Sequence, residues 1–176
     1  MNKDLLVAGF GGQGVLFAGK VLAYAGLLDG KEISWLPSYG PEMRGGTANC
    51  SVCISDEPIG SPLVTAPDVL IAMNQPSYDK FIATVKPGGK VIADATLVSS
   101  DNSRTDIGEF FIPSTQLADD NGLKGGSNII LIGKLLKETG IFGIETIEKV
   151  MQKVVPSAKP QLLANNIKAI GIGMNY

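Results

Sequence analysis

The chain has 176 residues, 44% of them hydrophobic and 18% charged, with a formal net charge of -2. That length suits a single unit, 1–176, with its own core, and no Lys/Arg stripe is present to neutralise phosphates, so a nucleic-acid surface is not expected. Histidine is absent, which removes the commonest base near neutral pH and a common metal ligand and disfavours a self-contained enzyme.

Residues 4–9, DLLVAG, read as a strand buried on both faces, and 14–28 as the helix that follows it. Gly19 and Gly26 each cost that helix about 1 kcal/mol against alanine, which points to close approach by the sheet. A second strand is expected at 31–37 (KEISWLP), then the loop SYGPEMRGG at 38–46. A third strand follows at 47–55 (TANCSVCIS), where Ala48, Cys50, Val52 and Ile54 share one parity. Two strands with no helix between them predict an antiparallel pair. The turn-rich stretch DEPIGSPLVTAP leads to a short strand at 68–73, a helix at 76–85, the turn Lys86-Pro87-Gly88-Gly89 and a strand at 89–95. A polar segment precedes a short edge strand at 109–113, and helices are expected near 114–122, 126–139, 144–155 and 160–172. This alternation predicts an α/β fold, a three-layer α/β/α sandwich with a mostly parallel, mixed sheet and a Rossmann-like start. The first apolar run is too short for a signal peptide and no apolar stretch of 18 residues exists, so a cytoplasmic protein with no membrane partner is expected.

Gly9, Gly11 and Gly14 satisfy G-x-G-x-x-G between a strand and a helix, the dinucleotide fingerprint. The next strand, however, ends in Ser34-Trp35-Leu36-Pro37 and carries no acid at its tip for ribose hydroxyls; Asp29 and Glu32 belong to its other end. No Lys-Ser/Thr pair follows, so this is not a P-loop. The free N–H groups and dipole at the helix start still suit a phosphate, a carboxylate or a coenzyme tail. Gly9, Gly11, Gly12, Gln13 and Gly14 are the candidate contacts, with Gln13 able to offer its amide. The alternative is that the glycines only let strand and helix meet without strain.

Tyr39, Gly40, Pro41, Glu42, Arg44, Gly45 and Gly46 form a second unusual stretch at the carboxyl end of a predicted strand, where open α/β sheets place ligands. Such a loop suits a partner protein or a substrate anion, or is a solvated connection. Cys50-Ser51-Val52-Cys53 spells C-x-x-C, but residues three apart on a strand face opposite ways. Two cysteines without histidine complete neither a tetrahedral metal site nor an iron–sulfur cluster within the chain. Buried, apolar cysteines are expected, with no metal site and no catalytic residue of the chain's own. Asn74-Gln75-Pro76, Asp94 and Ser127-Asn128 lie at strand ends or helix starts, where capping and ligand binding use the same residue types.

GFGGQGVLFAG (9–19), PSYGPEMRGGTANCSV (37–52), SDEPIGSP (55–62) and KGGSNIILIGKL (124–135) together resemble the gamma subunit of the 2-oxoacid:ferredoxin oxidoreductases over nearly the whole chain. The resemblance implies a complex that converts a 2-oxoacid and coenzyme A to acyl-CoA and carbon dioxide, with electrons passed to ferredoxin. It implies thiamine pyrophosphate, Mg and 4Fe-4S clusters in alpha, beta and ferredoxin-like partner subunits, and no cofactor held by this chain alone. It also implies that the chain packs near the entry of coenzyme A, with the glycine turn (Gly9, Gly11–Gly14) and the loop (Tyr39–Glu42, Arg44–Gly46) as the matching motifs. The loop wording, with Met43 and TANCSV, is more similar to versions acting on 2-oxoglutarate or branched-chain 2-oxoacids than to pyruvate versions. Two other readings stand beside it: an independent nucleotide- or coenzyme-binding protein using Gly9–Gly14, and a structural adaptor.

Overall fold

The computed structural model describes residues 2–38, 47–100 and 104–176. Among them, β1 (Lys3–Phe10) leads into α1 (Val15–Leu28), β2 (Glu32–Ser38) and β3 (Thr47–Ser55) follow, and β4 (Val69–Ala72) precedes α2 (Gln75–Phe81). A 3-10 turn, Ile82–Thr84, separates α2 from β5 (Lys90–Asp94), and β6 (Gly108–Ile112) is followed by α3 (Ser114–Asp120), α4 (Ser127–Thr139), α5 (Ile144–Val154) and α6 (Pro160–Asn175).

The strands form one six-stranded sheet in the order β2-β3-β1-β4-β5-β6. The β1–β4, β4–β5 and β5–β6 pairs are parallel, whereas β3 runs antiparallel to both β1 and β2. The expected mixed sheet with an antiparallel 31–55 region is therefore present, and β6 is an edge strand as its short length suggested. The helix expected over 76–85 is shorter than its apolar pattern implied: it closes at Phe81 and tightens into the 3-10 turn, with Val85 already extended.

Helices cover both faces. On one side α1, α4 and α5 bury Leu5, Val7, Val52, Ile71 and Ile92 in the larger cluster, and α6 backs α4. On the other, Tyr78 and Ile82 join Leu6, Leu70, Ala72, Val91 and Ala93 in a smaller one. The sheet does press on α1 at its glycines: a Cβ on Gly19 would fall inside Cys50 Sγ, and one on Gly26 inside Ile33 Cδ1. α4 is buried from Asn128 to Leu136 because a helix between a sheet and another helix has no solvent face. Its Gly133 meets the Ile170 carbonyl of α6, and Gly173 meets the Ile130 carbonyl of α4.

Candidate functional site

β1 ends at Phe10, and the chain must turn onto α1 within four residues. Gly12 (φ 95) and Gly14 (φ 77) supply the left-handed conformations that this reversal needs. Between them Gln13 turns its amide inward. Its Oε1 accepts from the Phe10 N–H at 2.6 Å and from Asn74 Nδ2 at 3.1 Å, while Nε2 donates to the Met73 carbonyl at 2.9 Å. The side chain proposed as a ligand contact thus braces the turn against the end of β4. Gly9 is closed around the same group: a Cβ there would lie 2.8 Å from Gln13 Oε1 and 2.9 Å from Met73 Cβ.

Gly14 is the N-cap of α1 and provides no side-chain acceptor, and the first turn holds no acid. The N–H groups of Val15, Leu16 and Phe17 have no acceptor within the helix, as at every helix start, and the macrodipole adds to their pull on an anion. The start of α4 lies against this end, where Asn128 Nδ2 donates to the Gly14 carbonyl at 3.1 Å. Asn128 is buried, and its Oδ1 has no partner among the described residues.

The third wall comes from the tip of β5. Asp94, 1% exposed, accepts from the Thr96 N–H at 3.0 Å, the Thr115 N–H at 3.2 Å, Thr115 Oγ1 at 2.5 Å and Ser127 Oγ at 3.3 Å. One carboxylate thereby caps α3 and fixes the first residue of α4. Between these walls lies a cleft of about 270 Å³ touching Gly12, Gln13, Met73, Leu97, Thr115 and Asp119. A neighbouring hollow of about 260 Å³ opens between Gly14, Phe17, Asn128 and Leu162. Among the described residues no Lys or Arg lines either, so the groups these residues offer an anion are backbone N–H groups and helix dipoles.

The geometry brings Gly9, Gly11, Gly12, Gln13 and Gly14 together with Asp94, Thr115, Ser127 and Asn128. Asp94, Ser127 and Asn128 were recognisable as end-of-element residues; Thr115 and Asp119 carried no local signal, since only the β5–α3 juxtaposition places them here. Asn74 caps α2, accepting from the Ser77 N–H at 2.9 Å. A dinucleotide's ribose acid has no strand to ride on: the strand beside β1 on that side is β3, which runs antiparallel and brings its start, not its tip, to the glycine turn. Tyr39, Gly40, Pro41, Glu42, Arg44, Gly45 and Gly46 lie outside the described residues. Their flanks Ser38 and Thr47 belong to this edge, because Thr47 pairs with Phe10.

Cys50 and Cys53 lie on opposite faces of β3. Cys50 is under α1, with Sγ 3.6 Å from the Val15 carbonyl, and burial pushes its thiol up to about 11. Cys53 faces the Ser61 and Pro62 carbonyls, and its thiol is also pushed up to about 11, by burial first and then by Asp4. Neither is the exposed, low-pKa thiol that redox or nucleophilic chemistry uses. Among the described residues no group of three or more His, Cys, Asp or Glu could hold a metal ion, and no helix is long and apolar enough to cross a membrane.

An α/β domain with helices on both faces of a mixed sheet, a glycine turn at the switch from β1 to β4 and polar groups gathered at that edge defines a module of the Rossmann-like class. The family model "Pyruvate ferredoxin/flavodoxin oxidoreductase" matches residues 4–176, and the chain belongs to this family of 2-oxoacid:ferredoxin oxidoreductases, in the position of its gamma subunit. It is 42% identical to the 2-oxoglutarate synthase subunit KorC of Methanocaldococcus jannaschii, over 89% of this chain and 85% of that one. It is 38% identical to the ketoisovalerate oxidoreductase subunit VorA of Methanothermobacter marburgensis, over 97% of this chain but only 35% of VorA. The chain therefore spans about a third of that relative's length. The crystal structure of the keto/oxoacid ferredoxin oxidoreductase gamma subunit from Geobacter sulfurreducens superposes with a TM-score of 0.82 at 31% identity, covering 98% of this chain and 96% of that one.

Proposed function

We propose that the chain acts as the non-autonomous gamma subunit of a thiamine-dependent 2-oxoacid:ferredoxin oxidoreductase. In that role it supports the coenzyme A-dependent oxidative decarboxylation of 2-oxoglutarate or 2-oxoisovalerate to acyl-CoA and carbon dioxide, with electrons passing to ferredoxin. The observation that carries this reading is the family match over residues 4–176, with relatives at 42% and 38% identity named for 2-oxoglutarate and for ketoisovalerate. Thiamine pyrophosphate, Mg and the 4Fe-4S clusters belong to alpha, beta and ferredoxin-like partners. This chain contributes contact surface and, at the glycine turn and the Tyr39–Gly46 loop, groups that meet the coenzyme or a partner. The uncapped start of α1 supports an anionic contact there, since three backbone N–H groups and a helix dipole converge on it.

The test is reconstitution. Co-expressed with the thiamine- and cluster-containing chains, the protein should co-purify with them, and the complex should form succinyl-CoA or isobutyryl-CoA with a reducible acceptor. The isolated chain should form none. Turnover by the lone chain, or failure of the complex to use either oxoacid, overturns the reading. Micromolar affinity of the lone chain for NAD or FAD would favour an independent dinucleotide-binding protein instead.

A further inference from the structure

The sheet is covered unevenly. On the face that carries α2, the helix and its 3-10 turn close over β1, β4 and β5, where Leu6, Leu70, Ala72, Val91 and Ala93 are buried under Tyr78 and Ile82. Beyond β1, on β3 and β2, the helix-free segment 56–66 lies over this face among the described residues. The cross-strand row Leu6–Ser51–Leu36, fixed by the β1–β3 and β2–β3 registers, runs from a buried Leu6 to a Leu36 that is 37% exposed. Ser51 Oγ accepts from the Val64 N–H at 3.3 Å, holding that segment so that Leu63 stands 60% exposed beside the row. Together with Phe81 these residues bound a groove of about 480 Å³. Among the described residues none of the side chains lining it carries a charge, and such charge-free, largely apolar surface is the composition of an interface core, not of an ordinary solvated face. The groove also reaches Ser38 and Asn49, the last and third residues of β2 and β3, so it borders the sheet edge that carries the glycine turn. β2 closes the sheet on this side, and its outer edge pairs with no strand among the described residues.

The relatives indicate what covers it. The region equivalent to this chain is 35% of VorA, yet the match covers 85% of KorC. A module found both joined to a longer polypeptide and nearly alone needs a surface of its own that holds the remainder of the enzyme when no peptide bond does. We propose that the Leu6–Ser51–Leu36 groove, with Leu63 at its rim and the edge strand β2 beside it, is the docking surface for the oxidoreductase region that VorA carries in the same chain. The occupant presents an apolar, uncharged ridge to the groove, and its seating brings the partner against the edge where the glycine turn and the ends of the 39–46 loop meet. This rests on the gamma-subunit reading and adds to it the face used.

The experiment uses the full chain co-expressed with its thiamine-containing partner, comparing wild type with Leu36→Asp, Leu63→Asp and Thr65→Lys on the groove. Leu27→Asp and Leu28→Asp, equally exposed but at the far end of α1, are the controls. Melting temperatures of the isolated variants confirm folding, and Thr65→Lys, at an exposed position, serves should either leucine variant fail to fold. Each groove variant should weaken association tenfold or more, with the controls within twofold of wild type. Association of the folded groove variants at wild-type affinity overturns the proposal, as does a loss confined to self-association of this chain. If wild type itself binds no oxidoreductase chain, it is the gamma-subunit reading that fails.

Discussion

The side-chain amide of Asn128 donates to the carbonyl of Gly14 at 3.1 Å, joining the first turn of α4 to the N-cap of α1 across 114 residues of chain. The amide occupies the space a side chain at position 14 would need: a Cβ there would fall inside Asn128 Nδ2. The two residues together set the spacing of the helix starts that wall the candidate site.

Gly14→Ala therefore meets two obstacles, a φ of 77 that L-residues resist and the buried amide. A cost of about 2–4 kcal/mol is expected, combining backbone strain of 1–3 kcal/mol with displacement of a buried polar contact. Asn128→Ala, which removes the amide but leaves the glycine, should cost about 1–2 kcal/mol. Urea unfolding checks both, and the double variant separates the terms: if Asn128 is the main obstacle, Gly14→Ala costs less once position 128 is alanine. Additive effects would show that the φ alone decides.

Asp94→Ala should loosen the same region from the other side. The carboxylate accepts from Thr115 N–H and Oγ1, Thr96 N–H and Ser127 Oγ, and its removal leaves buried donors unpaired. Hydrogen bonds to a charged group contribute about 1.5–3 kcal/mol each, shared here over one acceptor, so a loss of about 3 kcal/mol is expected. Amide exchange should quicken at Thr115 first, because its N–H faces the carboxylate. Unchanged protection at Thr115 would show that the cap is replaced by water.

Much of this was legible in the sequence because it is local. The strand at DLLVAG, the helix after Gly14, the antiparallel 31–55 pair and the sheet contact at Gly19 and Gly26 follow from periodicity, turn residues and propensity. The opposed faces of Cys50 and Cys53 follow from strand pleating alone. The relations that build the site are not local. Gln13 was a candidate contact able to offer its amide, but its hydrogen bonds to Met73 and Asn74 reach across 60 and 61 residues of chain. The insertion of β3 between β2 and β1 likewise depends on which hydrophobic faces meet, and the Leu6–Ser51–Leu36 row exists only once that order is set.

Arg44 and Glu42 belong to the loop whose ends, Ser38 and Thr47, the sheet fixes beside the glycine turn. Arg44→Ala in the assembled complex should either weaken association or raise the coenzyme A concentration needed for half-maximal rate, by tenfold or more. A charge paired in an interface costs several kcal/mol when one partner is removed. The two outcomes differ in what they assign: weaker assembly at unchanged KM places Arg44 at a partner, and a raised KM in an intact complex places it at the coenzyme. Wild-type values for both would remove the loop from the candidate site.

Cys50 makes a stability prediction with a definite sign. Burial raises its thiol from 9.0 to about 11 in the folded chain, so the folded state holds its proton where the unfolded chain has released it. The stabilisation is complete below pH 9 and is lost as pH climbs toward 11. For a two-unit shift the full loss is about 3 kcal/mol, of which roughly 1.4 kcal/mol has gone by pH 10. Cys50→Ala carries a constant cavity cost but no titrating group, so it should lose less stability than wild type between pH 8 and pH 10, and the other titrations cancel in the comparison. Parallel curves would mean that the thiol ionises in place. Water would then have to reach β3 beneath α1, and the tight approach of Gly19 to Cys50 would not survive in solution.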